Sequence, residues 1–293
     1  MTQLKRLINL CRRKASNTAF LEQRYQNPRT DCQIRHVRKL QGLEEVDSQL
    51  LGELRHAGIA FTSLEQLALP GNSAMWEAAH LVADRLRLQP SPPKGAFLTL
   101  ARSDEMSKHP SLFGWGLQTR LLNLLEHYLQ LPVAYHGVYL RRDSANTVRK
   151  KSRLWHTDME DDNTIKILIY LHDMNLDRGP FEYLPKAMSD EARARLDYQC
   201  GYIKPGVLEQ WVENKQWKSC LGTAGTVAIV DTGRLIHRGR APESSDRYCL
   251  FFDYTSNVPR RPYYCKSSLP LAELSQWAEL WNEQQQQAVF WRS

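Results

Sequence analysis

Five short segments from residue 133 onward constrain the fold more than any other feature. They are VAYHGVYLRR (133–142), TIKILIYLHD (164–173), GPFEYLP (179–185), GTVAIVDTG (225–233) and DRYCLFFDYT (246–255). Each is rich in β-branched and aromatic residues and is bounded by Gly, Pro, Asp or Asn, which is how strands are punctuated. The first half has a different texture. Residues 4–25 carry a rough apolar stripe with a basic polar face, which predicts a helix. Residues 47–57 predict a second helix, and after the Gly58 break GIAFTSL predicts a short strand. Residues 73–89 predict a third helix, with Ser73 as its N-cap, and residues 111–130 a fourth. The tail returns to helix over 269–287. Helices first and strands after give an α+β fold with a mainly β core, a sandwich or jelly roll flanked by helices.

Charge is distributed unevenly. Residues 1–40 hold ten Lys/Arg against Glu22 and Asp31, while the other 253 residues balance 29 bases against 30 acids. The net charge of +7 therefore sits in an N-terminal arm. A polyanion-binding surface would not be partitioned this way, so nucleic acid is not an expected partner. The arm could contact a membrane surface or a carrier protein, or pack as an ordinary helix. Because the strands begin much later, it is expected to be separable from the site. The expected organisation is a basic helical arm over 1–45, a main domain over 46–265 with a lid insertion at about 186–222, and a C-terminal helical segment over 266–293. No apolar run approaches 18 residues, which rules out a spanning helix. The six cysteines are scattered without a CxxC pair, which fits free thiols and a cytoplasmic setting.

The chemistry concentrates at Trp155-His156-Thr157-Asp158. Residues two apart in extended chain project to one side, so His156 and Asp158 supply one imidazole and one carboxylate to the same space. His237, which ends the GTVAIVDTG segment's run, is the best third member. Two histidines and one carboxylate on one face of an octahedral ion leave three positions open, the arrangement of non-haem Fe(II) oxygenases. Arg247 follows His237 by ten residues and opens the next strand. A buried guanidinium there calls for a carboxylate partner.

WHTD, IKILIYLHDMNLDRGPFEYLP, GTVAIVDTGRLIHRG and DRYCLFF together resemble the Fe(II)/2-oxoglutarate-dependent oxygenases of the phytanoyl-CoA dioxygenase-like superfamily, from roughly Leu50 to Tyr254. The resemblance implies a double-stranded β-helix (cupin-like jelly roll). It implies Fe(II) on His156, Asp158 and His237, with O2 and 2-oxoglutarate consumed in the oxidation, most simply the hydroxylation, of an unactivated C–H bond. Arg247 would grip the cosubstrate's distal carboxylate. The family often has Ser or Thr two residues after the distal His, where this chain has Gly239. Tyr139, Tyr170 or Thr226 could supply the missing hydroxyl.

The expected substrate is a small molecule, anionic or carrier-linked, drawn by Arg141, Arg149, Lys151 and Arg153, with Trp155 beside the metal motif. Aromatics of the 186–222 insertion (Tyr198, Tyr202, Trp211, Trp217) would suit an apolar substrate body or make a satellite core. Two rival readings are a cupin-like metalloenzyme that does not use 2-oxoglutarate, and a non-enzymatic jelly-roll binding module tethered by its arm.

Overall fold

A computed structural model describes residues 19–210, 212 and 216–292. The predicted helix over 4–25 falls largely outside them. Its described part continues as a longer helix, Ala19–Val37, and two more helices span Glu45–Ala57 and Asn72–Leu88. Ser73 is not the cap of the last, since the chain enters it through Gly71 in the left-handed region. The predicted helix over 111–130 is two, Pro110–Trp115 and Thr119–Leu129. They break at Gly116, where a Cβ would meet the Phe252 ring at 2.8 Å, so close packing on the sheet selects glycine. The tail is likewise split, into Leu271–Trp277 and Glu283–Val289, and Asn282 caps the second piece through a capping box.

The described residues form eleven strands, in order: β1 (Ile59–Ser63), β2 (Leu98–Leu100), β3 (Val133–Asp143), β4 (His156–Thr157), β5 (Ile165–Tyr170), β6 (Phe181–Tyr183), β7 (Gly201–Tyr202), β8 (Lys218–Ser219), β9 (Thr226–Asp231), β10 (His237–Gly239) and β11 (Arg247–Ser256). A six-stranded sheet runs β1-β9-β5-β11-β3-β2, and a five-stranded sheet runs β7-β4-β10-β6-β8, with every pairing antiparallel. This is a jelly roll flanked by helices, as the sequence predicts, with sheets that do not close into a barrel.

Period-2 alternation divides the large sheet cleanly. Ile165, Ile167 and Ile169 of β5, with Leu250, Phe252 and Tyr254 of β11, face the helices and form the main core. The opposite parity, Leu168, Tyr170, Ala228, Val230 and Cys249, faces the small sheet. The charged residues Lys166, Arg141, Asp143, Arg247 and Asp253 belong to that inward parity, so the interior between the sheets is where polar chemistry collects. The five cysteines among the described residues are free thiols. No described helix is long and apolar enough to cross a membrane.

Candidate metal centre

His156 and His237 are directly opposite one another in the β4/β10 ladder. That register brings two distant stretches of sequence to one point, with ring centroids 4.3 Å apart. Asp158 follows in the turn after β4, where its backbone N–H donates to Thr232 O at 3.0 Å. One ligand atom from each of His156, Asp158 and His237 lies within 4.8 Å of the others.

Both rings are oriented by the same device. His156 Nδ1 bonds Leu154 O at 2.8 Å and His237 Nδ1 bonds Leu235 O at 3.0 Å, each to the carbonyl two residues back. A carbonyl can only accept, so the proton sits on Nδ1 and Nε2 is left as the free donor atom. Burial, then the neighbouring His156, pushes His237 down to about 3, and burial likewise lowers His156. Both rings are therefore neutral near pH 7, the form that binds a metal. Burial alone would raise Asp158, but Lys166, His237 and His156 reverse this and hold its carboxyl below the usual range. Two neutral imidazoles and one carboxylate are the donor set of a divalent first-row transition metal, and the residues present fit one.

Other residues support the three, and of these Lys166 and Asp161 are not among the sequence's candidates. Lys166 Nζ lies 3.0 Å from Asp158 Oδ2 and 3.8 Å from Asp253, and fixes the carboxylate from inside the large sheet. Tyr198, from the insertion, accepts a 2.8 Å bond from Thr157 N and so ties the strand that carries His156. A signal for Lys166 was available: in TIKILIYL it is the one charge on the Lys166/Leu168/Tyr170 face.

Asp161 is the least expected. An acidic run after a metal motif reads as a solvated turn, yet Asp161 is 2% exposed. It accepts from Tyr25 Oη (2.9 Å), Ser256 Oγ (2.6 Å) and the Arg260 N–H (3.0 Å), and pairs with Arg29 at 3.3 Å. Arg260 also bridges Asp162 and Glu22. The helix 19–37 is thus fastened to the loop that leaves Asp158.

Arg247 is 2% exposed and its partner is internal. Its guanidinium sits 2.8 Å from Asp143 Oδ2 and also bonds Gly179 O. Arg141 grips the same carboxylate in a fork, Nε and Nη2 both at 2.7 Å. Burial would raise Asp143, but Arg141 and Arg247 more than offset it and hold it low. Gly239 is explained here. A Cβ on it would stand 2.9 Å from Arg247 Nη2, so a Ser or Thr here would strike the guanidinium. Gly239→Ser is expected to push Arg247 off Asp143 and lower the melting temperature by several degrees. An unchanged melting curve would show that the arginine gives way freely.

The pocket between the sheets is lined by His156, His237, Arg141, Lys166 and Arg247, with Tyr170, Phe181, Leu168 and Phe251 as its apolar wall. The candidate hydroxyls divide. Tyr170 lines the pocket, but its Oη donates to Cys220 O at 2.9 Å. Tyr139 donates to Lys266 O at 3.2 Å, away from the pocket. Thr226 sits against Gly222 at the far end of β9 and does not line the pocket. The candidate substrate cations divide too. Arg141 is in the pocket. Arg153 is buried, and its Nη atoms bond Ser144 O, Asn146 and Val148 O. Lys151 is exposed, and Arg149 lines a separate cleft. Trp155 packs into a satellite core beneath the insertion, with Tyr198 and Trp217 against the same cluster. Trp211 lies outside the described residues. Tyr202 instead stays 54% exposed, with its ring 5.1 Å from that of His156.

No family model matches the chain, and no curated protein matches it. Among solved structures, the chain is similar to the epimerase SnoN in complex with Fe3+, alpha ketoglutarate and nogalamycin RO, with a TM-score of 0.51 and 14% identity over 72% of this chain and 84% of that one. Looser likenesses are EctD from S. alaskensis (TM-score 0.49, 16% identity, 78% and 90% covered) and HygX from Streptomyces hygroscopicus with nickel and 2-oxoglutarate bound (TM-score 0.47, 13% identity, 73% and 88% covered). At such identity the likeness to SnoN shows that the two chains share a fold.

Proposed function

We propose that this chain is a mononuclear non-haem Fe(II)/2-oxoglutarate-dependent oxygenase, of the phytanoyl-CoA dioxygenase-like kind, acting on a small molecule. The observation that carries the reading is the convergence of His156, Asp158 and His237 on one point, with both imidazoles held neutral and turned metal-ready. Fe(II) on these three residues, with 2-oxoglutarate and O2, would supply the oxidising power for an unactivated C–H bond. SnoN, bound to Fe3+ and alpha ketoglutarate, gives the same fold that use.

The residues of this chain position and insulate. The Nδ1 bonds hold the two rings against rotation, and Lys166 steadies the carboxylate. Phe181, stacked 5.1 Å from His237, and Phe251 keep water from the pocket. Arg141 and Arg247 share the single carboxylate of Asp143, so the far end of the pocket keeps one unmatched positive charge. Arg247 Nε has no hydrogen-bond partner. That surplus fits the distal carboxylate of 2-oxoglutarate. A polar cleft of about 500 Å³ opens on the other side of Asp158, between Asp190, Gln199, Arg234 and Arg261. It is the substrate's approach, and its lining favours a hydrogen-bonding substrate over a fatty one.

Arg247→Lys separates this reading from a cupin-like metalloenzyme without 2-oxoglutarate. The lysine keeps the charge but loses the Nε–H, the donor left over once the Nη atoms serve Asp143 and Gly179. Charge-assisted hydrogen bonds contribute roughly 1.5–3 kcal/mol each. The affinity for 2-oxoglutarate should fall by about one to two orders of magnitude, while Fe(II) affinity stays unchanged. Equal 2-oxoglutarate affinity in a folded variant would favour the alternative.

A further inference from the structure

We propose that a second cleft, on the outer side of β10, is an anion site for a phosphate-bearing small molecule. Along β10 the side chains alternate. His237 and Gly239 face the metal pocket, while Arg238, and Arg240 just beyond the strand, line a cleft of about 490 Å³. The opposite wall is the segment 145–153, which brings Arg149 and Arg153. Four guanidiniums therefore line one concavity, against Glu243 as its one acidic lining residue.

Ion pairing divides the four. Arg238 is matched by Glu182 at 2.8 Å and Glu209 at 3.6 Å, and Arg240 by Glu243 at 2.8 Å and Glu182 at 3.8 Å. Neither Arg149 nor Arg153 has a carboxylate partner within ion-pair distance among the described residues. Arg153 is held by backbone carbonyls and lies over the Phe97 ring at 4.2 Å, and its buried Nε has no hydrogen bond. Burial pulls it down to about 10, which leaves it charged at neutral pH. Arg149 and Arg153 are thus the two cations of this cleft without a carboxylate of their own, and they call for an anion.

The donor geometry selects among dianions. Arg238 is clamped between Trp155 (4.3 Å) and Trp217 (5.1 Å), and Arg153 is fixed by its loop, so these cations are pre-oriented on the two walls. Donors converging from opposite walls suit a tetrahedral oxyanion, whose oxygens point in several directions, better than a flat carboxylate. A phosphate group carries about −1.5 to −2 charges at pH 7, enough to engage both unpaired arginines.

The test uses the metal-free full chain and inorganic pyrophosphate as probe, with citrate as the carboxylate control, by titration calorimetry. Pyrophosphate should bind at least tenfold tighter than citrate and weaken steeply with added salt. Arg149→Ala combined with Arg240→Ala should reduce its affinity at least tenfold. His237→Ala should leave it unchanged, which keeps this site distinct from the metal pocket whatever becomes of the oxygenase reading. Equal affinity for citrate, or pyrophosphate binding that survives the double variant, would overturn the proposal.

Discussion

Asp143→Ala is expected to destabilise the fold by about 3–5 kcal/mol, because breaking a buried ion pair from one side strands the other charge. Here it strands two. Arg141 and Arg247 both bond Asp143, which is fully buried between them. For a chain of this size the melting temperature should fall by roughly 6–20 °C, read by calorimetry. The pH dependence follows from the same residue. Its folded-state pKa is depressed, so its contribution is fully present above the unfolded value near 4 and is lost as pH falls below it. Asp143→Asn should flatten that acid limb. A wild-type melting curve in Asp143→Ala would mean that the arginines find water or other partners.

Asp161→Ala is expected to be comparably damaging, and to reach the metal. Asp161 joins the 19–37 helix, the end of β11 and the 260 loop, three residues beyond Asp158. Its loss leaves Arg29 without its carboxylate and frees the loop that carries the ligand. Metal affinity should drop about 10–100-fold, as it does when groups that orient ligands are removed. Deleting residues 1–37 should reproduce much of this, because Glu22, Tyr25 and Arg29 go with it. Charge segregation suggests instead that the arm is dispensable, and the contacts of Tyr25 and Arg29 argue against that. Calorimetry and Co(II) titration of both variants check it. Unchanged metal affinity in each would restore a separable arm.

What was legible in the sequence follows from how local each signal is. The strands β1, β3, β5, β6, β9 and β11 have enough β-branched and aromatic residues to announce themselves, and each lies within a few residues of its expected place. β4, β7, β8 and β10 are two or three residues long and carry no periodicity, yet β4 and β10 hold both candidate metal histidines. Those histidines were found through HxD spacing and family resemblance. Arg247 was legible as a buried cation, but its partner was not. Asp143 ends a strand 104 residues earlier in sequence, and only the β3/β11 register places the two opposite each other. Asp161 was hidden for the same reason. A carboxylate's burial depends on what folds over it, and here that is a helix and a loop about 100 residues or more away on either side.

The proposed function requires three side chains to make one metal site that accepts 2-oxoglutarate. Anaerobic addition of Fe(II) and then 2-oxoglutarate to the full chain, followed in the visible spectrum, tests it most directly. A weak metal-to-ligand charge-transfer band that saturates with one equivalent of each is expected. His237→Ala and Asp158→Ala should fold but show no band, and Arg247→Lys should need far more 2-oxoglutarate to reach it. Tight iron binding with a full band in Asp158→Ala, or no band in the wild-type chain, would contradict the account.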